Sequence, residues 1–119
     1  MSVEVSGSDT TLSQDACRDR LSHSRRGLLA CTQRALPSVV PVGVRLHQGR
    51  LLVSVHDDAV RDQLVGQVVA LSVGRHPSGL RRGWRVVVRG QLGPADDEQD
   101  RTLALEPFQL EGVALGRSR

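Results

Sequence analysis

From Arg26 onward the apolar residues of this chain fall at every second position, in short runs rich in Val and Leu. That two-residue period dictates strands rather than helices. Successive side chains of a strand point to opposite faces, so each run presents one face to a core and the other to something else. The clearest case is RRGWRVVVRG, residues 81–90. Here Trp84, Val86, Val88 and Leu92 share one face, while Arg85, Val87, Arg89 and Gln91 share the other. The spacing predicts a dry side and a charged side, with Gly90 relieving crowding where the strand bends.

The same reading runs along the chain. RGLLACT (26–32) is the first strand, QRALP turns the chain, and SVVPVGVRL (38–46) is the second, with Ser38, Val40, Val42, Val44 and Leu46 on one face. His47, Gln48 and Gly49 lead into RLLVSV (50–55), which makes a hairpin. HDDAVRDQL (56–64) breaks the alternation: Asp57 or Asp58 caps a short helix with Val60 and Leu64 on one side, and Gly66 ends it. QVVALSV (67–73) is nearly all apolar, which predicts a strand buried on both faces. Gly74 to Arg82 reads as an exposed loop before the Trp84 strand. GPADDEQD (93–100) is a turn or a scrap of helix, and RTLALE (101–106) is a last strand limited by Pro107. The remaining FQLEGVALGRSR packs across the barrel. At the other end, residues 1–10 read as a flexible tail. Thr11 and Gln14 then form a capping box for a helix over 12–23 that carries Cys17 and Leu21. The expected fold is mainly β: a six-stranded antiparallel barrel in one domain over residues 11–119, with an N-terminal helix and a short helix between strands three and four.

Composition narrows the function classes. A chain of 119 residues is one domain, and area scaling lets it bury about two-thirds of its extended surface. Every basic residue other than histidine is arginine, and Lys, Ile, Asn and Tyr are absent, which reads as the bias of a GC-rich genome. The formal charge of +3 is modest. Arg75, His76, Arg81 and Arg82 make a basic loop, but binders of single strands interleave aromatics, and this chain has one Trp, one Phe and no Tyr, so no nucleic-acid partner is expected. No apolar run reaches the roughly 18 residues of a membrane helix, and the first residues lack the pattern of a secretory signal. A cytoplasmic protein with reduced thiols is the expectation, a disulfide between Cys17 and Cys31 being the minor alternative. Those two cysteines lack metal-ligand spacing, and the adjacent His56, Asp57 and Asp58 point in different directions, so no metal site is expected. His23 and His47 read as surface residues. No Gly-rich phosphate loop, nucleophile elbow or other catalytic motif appears.

Four segments in order carry a resemblance: a helix running into RRGLLAC, the hairpin SVVPVGVRLHQGRLLVSV, QVVALSV with its loop and GWRVVVRG, and the closing LALEPFQLEGVALG. Together they cover most of residues 15–116. This set resembles the pyridoxamine 5'-phosphate oxidase-like proteins, the flavin-binding split barrels, especially their short actinobacterial type. The resemblance implies a homodimer that binds FMN, or a deazaflavin, in a groove between subunits and acts as an oxidoreductase on a small molecule. It equally covers a member that kept barrel and dimer, lost the cofactor, and serves as a binding or structural module.

Carried over by position, the resemblance places Pro41, Val42 and Gly43 of the second strand, Ser54 and Val55 of the third, Arg61 of the following helix, and Trp84 and Arg85 of the fifth strand at the cofactor. It implies no dedicated acid–base residue. Several positions depart from the family pattern. Gly43 stands where relatives have Asn, Ser54 and Val55 where they have Arg or Thr, and Arg85 where they have Ser. An ungapped match puts Val60 at the usual phosphate-binding Lys, with Arg61 next to it. A charge about 5 Å from a phosphate, at an effective dielectric near 20, is worth roughly 3 kcal/mol. Arg61 is therefore the expected anchor. Read from the residues alone, Trp84 is either a groove residue or a core residue. Arg85 and Arg89 are either ligand contacts or solvated, paired arginines.

Overall fold

A computed structural model describes residues 9–95 and 102–116. Two helices and seven strands follow in the order β1 (Thr10–Thr11), α1 (Gln14–Ser22), β2 (Arg26–Gln33), β3 (Leu36–His47), β4 (Arg50–Ser54), α2 (Asp58–Leu64), β5 (Val68–Arg75), β6 (Gly83–Pro94) and β7 (Thr102–Leu115). Every pairing is antiparallel, in the sheet order β1-β7-β4-β3-β2-β5-β6, and β7 also pairs with β6. That extra pairing closes β2 to β7 into a six-stranded ring, and β1 is added as a seventh strand against the end of β7.

The ring is split where β4 stops. Residues Thr102 to Leu105 of β7 lie between β4 and β6, but the longer second half of β7 pairs with β6 along its length. Helix α1 packs against β7, β3 and β6, and sends Cys17 and Leu21 into the core. Ser13 caps it by accepting from the Ala16 N–H. The helix therefore starts two residues later than the capping box of Thr11 and Gln14 implies, and Thr10–Thr11 extend as β1 instead.

The expected alternation is present in the strands. Val42 and Val44 of β3 and Val86, Val88 and Leu92 of β6 are buried, as are Leu29, Val53, Leu71 and Val73. The hairpin turn is a two-residue one, with Gln48 and Gly49 both at positive φ and His47 paired with Arg50. Arg34 and Ala35 make the preceding turn with the same left-handed backbone.

Two expectations are overturned. β5 is not buried on both faces: Val69, Leu71 and Val73 face the core, whereas Val68 is 66% exposed. The chain after Pro107 does not cross the barrel but continues as β7. Pro107 is tolerated because that half of β7 has lost β4 as a neighbour, and a register shift at Arg89 and Gly90 leaves Phe108 as the extra residue of a bulge. Gly90 is required there, since a β-carbon on it would lie 2.2 Å from the Glu106 carbonyl oxygen. The turn or helical scrap read over 93–100 is strand at Gly93 and Pro94, and its residues 96–100 lie outside the described residues, as do the tail residues 1–8.

Candidate functional site

Gly43 and Ser54 are direct partners across the β3–β4 ladder, on the face turned away from the core. Just before β2, the carbonyl of Arg25 accepts the Val44 N–H at 2.8 Å, which holds the end of α1 beside β3. The space between is a cleft of about 680 Å³, lined by Ser22, His23, Arg25, Gly43, Arg45 and Ser54 among others. Its floor is bare at Gly43: a β-carbon there would lie 3.4 Å from that of Ser54. A planar ring can therefore approach the β3 backbone closely. Among the described residues, neither the Ser54 hydroxyl nor the Arg25 guanidinium has a hydrogen-bond or ion-pair partner. The wall formed by the end of α1 is internally satisfied, because Ser22 and Ser24 donate to the Asp19 and Arg20 carbonyls.

The other expected site residues are dispersed. Pro41 precedes Gly43 by two on the same outward face of β3, whereas Val42 and Val55 bury their side chains in the core. Trp84 packs against the core from the inward face of β6, with the Arg20 guanidinium 5.3 Å from its ring centroid. Arg85 lies on the outer face, donating to Ser72 Oγ at 3.3 Å and passing over Gly74 of β5. Three strand spacings separate β6 from β3 along the sheet, about 14 Å. Arg61, Trp84 and Arg85 do not line the cleft.

Arg61 has its own surroundings. One nitrogen pairs with Asp62 at 2.9 Å, and its Nε is buried without a partner. Asp57 caps α2, its carboxylate accepting from Ala59 and Val60 N–H. The first turn of this seven-residue helix is thus occupied by the chain's own anion.

A second concavity, of about 440 Å³, lies on the outer face of β2, β3 and β5. Ala30, Val39, Val68 and Ala70 form its apolar floor, and Arg89, paired with Glu111, stands at its edge. Cys31 walls it from the core side, and burial pushes the thiol pKa up against a smaller opposing effect of a Gln33 hydrogen bond. Burial likewise raises Cys17, and both cysteines are free thiols. No group of residues able to hold a metal ion occurs among the described residues, and no helix in them is long and apolar enough to cross a membrane.

Sequence reasoning missed Arg25 and Arg45 of the cleft and the whole apolar groove. The signal for the groove was present: Val39 and Val68 occupy positions that alternation assigns to the outside. Arg25 gave none, because its place depends on how α1 folds back over β3.

A family model described as pyridoxamine 5'-phosphate oxidase matches residues 13–115. No curated protein sequence matches. Among solved structures, an FAD binding protein from Mycobacterium smegmatis is similar with a TM-score of 0.74 at 22% identity, over 90% of this chain and 98% of that one. A putative pyridoxamine 5'-phosphate oxidase from Corynebacterium glutamicum gives 0.73 at 12% identity, over 98% and 99%. An FAD-binding protein from Mesorhizobium loti gives 0.69 at 21% identity, over 91% and 99%.

Proposed function

The chain belongs to the pyridoxamine 5'-phosphate oxidase family, and from that membership we propose that it binds a flavin, with FMN first, in the cleft beside Gly43 and Ser54, as one half of a homodimer. The observation that carries this reading is the bare floor at Gly43 next to two unpartnered donors, the Ser54 hydroxyl and the Arg25 guanidinium. A cleft of about 680 Å³ is within the usual range for small-molecule sites, roughly 300–1,000 Å³. Two of the similar structures are named FAD-binding proteins, which adds support for a flavin.

Each residue has a part in holding the group. The Gly43 backbone gives the ring a flat seat, Ser54 donates to a ring or ribityl oxygen, and Arg25 faces the anionic end. Pro41, with no N–H of its own, keeps the approach to Gly43 extended. Arg61 and Arg85, which do not line this cleft, take no part in holding the group there. A bound flavin or deazaflavin supplies hydride or electron transfer, and the protein's residues orient it and exclude water. The reaction class is therefore oxidation–reduction of a small molecule.

One observation favours the rival reading, a cofactor-free binding or structural module. Asp57 fills the helix end where an anion would otherwise be welcome. The two readings separate in one titration. FMN, FAD and a deazaflavin are added to the purified protein while flavin and Trp84 fluorescence are followed, beside a spectrum of the protein as isolated. The flavin reading expects quenching that Gly43→Val abolishes. A colourless protein whose signals stay flat with all three compounds leaves only the module. Arg25→Ala tests the phosphate anchor: FMN affinity falls by about 100-fold and riboflavin affinity does not, given roughly 3 kcal/mol for one close charge pair, whereas Arg61→Ala, outside the cleft, leaves both unchanged.

A further inference from the structure

Hairpin tips in water are normally polar, and the one joining β5 to β6 carries a leucine. Ser78 and Arg81 exchange two backbone hydrogen bonds, at 3.1 and 2.9 Å, around a two-residue turn of Gly79 and Leu80. Gly79 takes a φ of 57°, the left-handed backbone that such a turn asks of its first central residue. Leu80 is thereby held at the apex, 83% exposed, more than any other large hydrophobic side chain among the described residues. Nothing lies within 4 Å of a β-carbon placed on Gly79, so the apex is open. The base of the hairpin is fixed. Arg75 Nε donates to the Arg82 carbonyl at 3.1 Å, and a β-carbon on Gly83 would lie 2.5 Å from the Arg75 carbonyl oxygen and 2.6 Å from Pro77.

Around that apex the charge has one sign. No Asp or Glu occurs between Asp62 and Asp96. Arg75, His76, Arg81 and Arg82 are all exposed, and among the described residues none of them has an acidic partner. Arg26, also exposed, opens the neighbouring strand β2, whose Leu28 pairs with Ser72 near the same end of β5. We propose that the β5–β6 hairpin is a docking point for an anionic lipid surface, with Leu80 entering the interface and the arginines among the headgroup phosphates.

The chemistry of the tip favours lipid over other anionic partners. Single-stranded nucleic acid is held by stacking on aromatic rings, and residues 76–82 include none. A folded protein would have to offer a pocket shaped for a protruding leucine. A bilayer interface accepts an apolar side chain wherever it touches and attracts the cations around it. The magnitudes make the association reversible. An arginine close to an anionic leaflet changes partitioning about fivefold, so Arg75, Arg81 and Arg82 together give roughly 100-fold. Burying the Leu80 side chain adds about tenfold. None of these residues lines the cleft at Gly43 and Ser54, so the docking surface does not rest on the flavin reading.

The test is co-sedimentation of the full chain with sucrose-loaded vesicles. One set contains phosphatidylglycerol and phosphatidylcholine in equal parts, the other phosphatidylcholine alone. The protein should pellet with the anionic set, about 100-fold less with the neutral set, and be released at about 0.5 M salt, where charges in solvent are screened. Arg81→Gln with Arg82→Gln should lower partitioning by about 25-fold, and Leu80→Ser by about tenfold. Urea midpoints of these variants should stay at the parent value, since the three side chains are exposed. A polarity-sensitive dye on Leu80→Cys reports insertion, because Cys17 and Cys31 are buried and escape labelling. Its emission should shift to the blue with anionic vesicles only. Pelleting that ignores Leu80→Ser and leaves the dye unshifted overturns the proposal, as does a chain that stays in the supernatant at low salt. If a single-stranded oligonucleotide is bound instead, the arginines belong to a nucleic-acid surface and the lipid reading falls.

Discussion

The sulfur of Cys17 occupies the space that a side chain on Gly112 would need: a β-carbon on Gly112 would lie 2.6 Å from it. Arg85 O and Leu12 Cδ1 would follow at 3.2 Å each. Cys17 is fully buried on α1, which plugs the split between the barrel's strands, so it has little room to yield. Gly112→Ala is therefore expected to cost about 1–3 kcal/mol, as overpacking does. Urea denaturation checks this, with Cys17→Ala as the partner in a double-mutant cycle. The double variant should be more stable than the sum of the two single losses implies.

The turn between β2 and β3 has a different kind of strain. Arg34 and Ala35 have φ of 52° and 64°, a left-handed backbone in which a β-carbon costs roughly 1–2 kcal/mol per residue. Ala35 is exposed and at the tip of the turn, so nothing packs against its methyl group to offset this. Ala35→Gly should stabilise the protein by about 0.5–1 kcal/mol once the larger backbone entropy of glycine is subtracted. A rise in the urea midpoint with an unchanged slope is the expected readout, and a fall would show that the turn is not strained.

Gln67 stands in for a missing stretch of β-ladder. β2 pairs with β5 from Leu28 to Ala30. Beyond that, the Gln67 amide accepts from Thr32 N–H at 3.0 Å and donates to Thr32 O at 2.7 Å and Gln63 O at 2.8 Å. One side chain thereby ties α2 to β2. Gln67→Glu keeps the acceptor but loses both donations and sets a carboxylate against two carbonyls. It should cost about 1–2 kcal/mol, more than Gln67→Met, because opposed acceptors are worse than absent partners. Thermal melts of the two variants rank them.

These contacts show where sequence reading stops. The sidedness of β3, β4 and β6 was legible because each buries one face, and Val42, Val44, Val86 and Val88 lie where a period of two puts them. β5 misled because an apolar outer face looks the same in sequence whether or not the rest of the chain covers it, and Val68 is left uncovered. Pro107 read as a stop because its missing N–H is harmless only next to an absent neighbour, and that depends on β4 ending early. Of the candidate site, Gly43 and Ser54 were reachable by resemblance to a family. Arg25 was not, since it comes to β3 only through the Val44 N–H to Arg25 O bond.

Alkaline pH gives the last prediction, and the composition makes it readable. The chain has no Lys and no Tyr, so between about pH 8.5 and 11 the side chains that lose a proton are the thiols of Cys17 and Cys31. Burial raises both above the ordinary thiol value of 9.0. A pKa that is higher folded than unfolded means that the unfolded chain ionises first, so the stability present below pH 9.0 is lost as pH rises past it toward the folded values. Urea midpoints measured from pH 8 to pH 10.5 should therefore decline. The paired variant Cys17→Ala, Cys31→Ala should start lower, because two buried side chains are trimmed, yet lose much less stability over the same interval. An equal decline in that variant would mean that the thiols are not what the fold protects from ionisation.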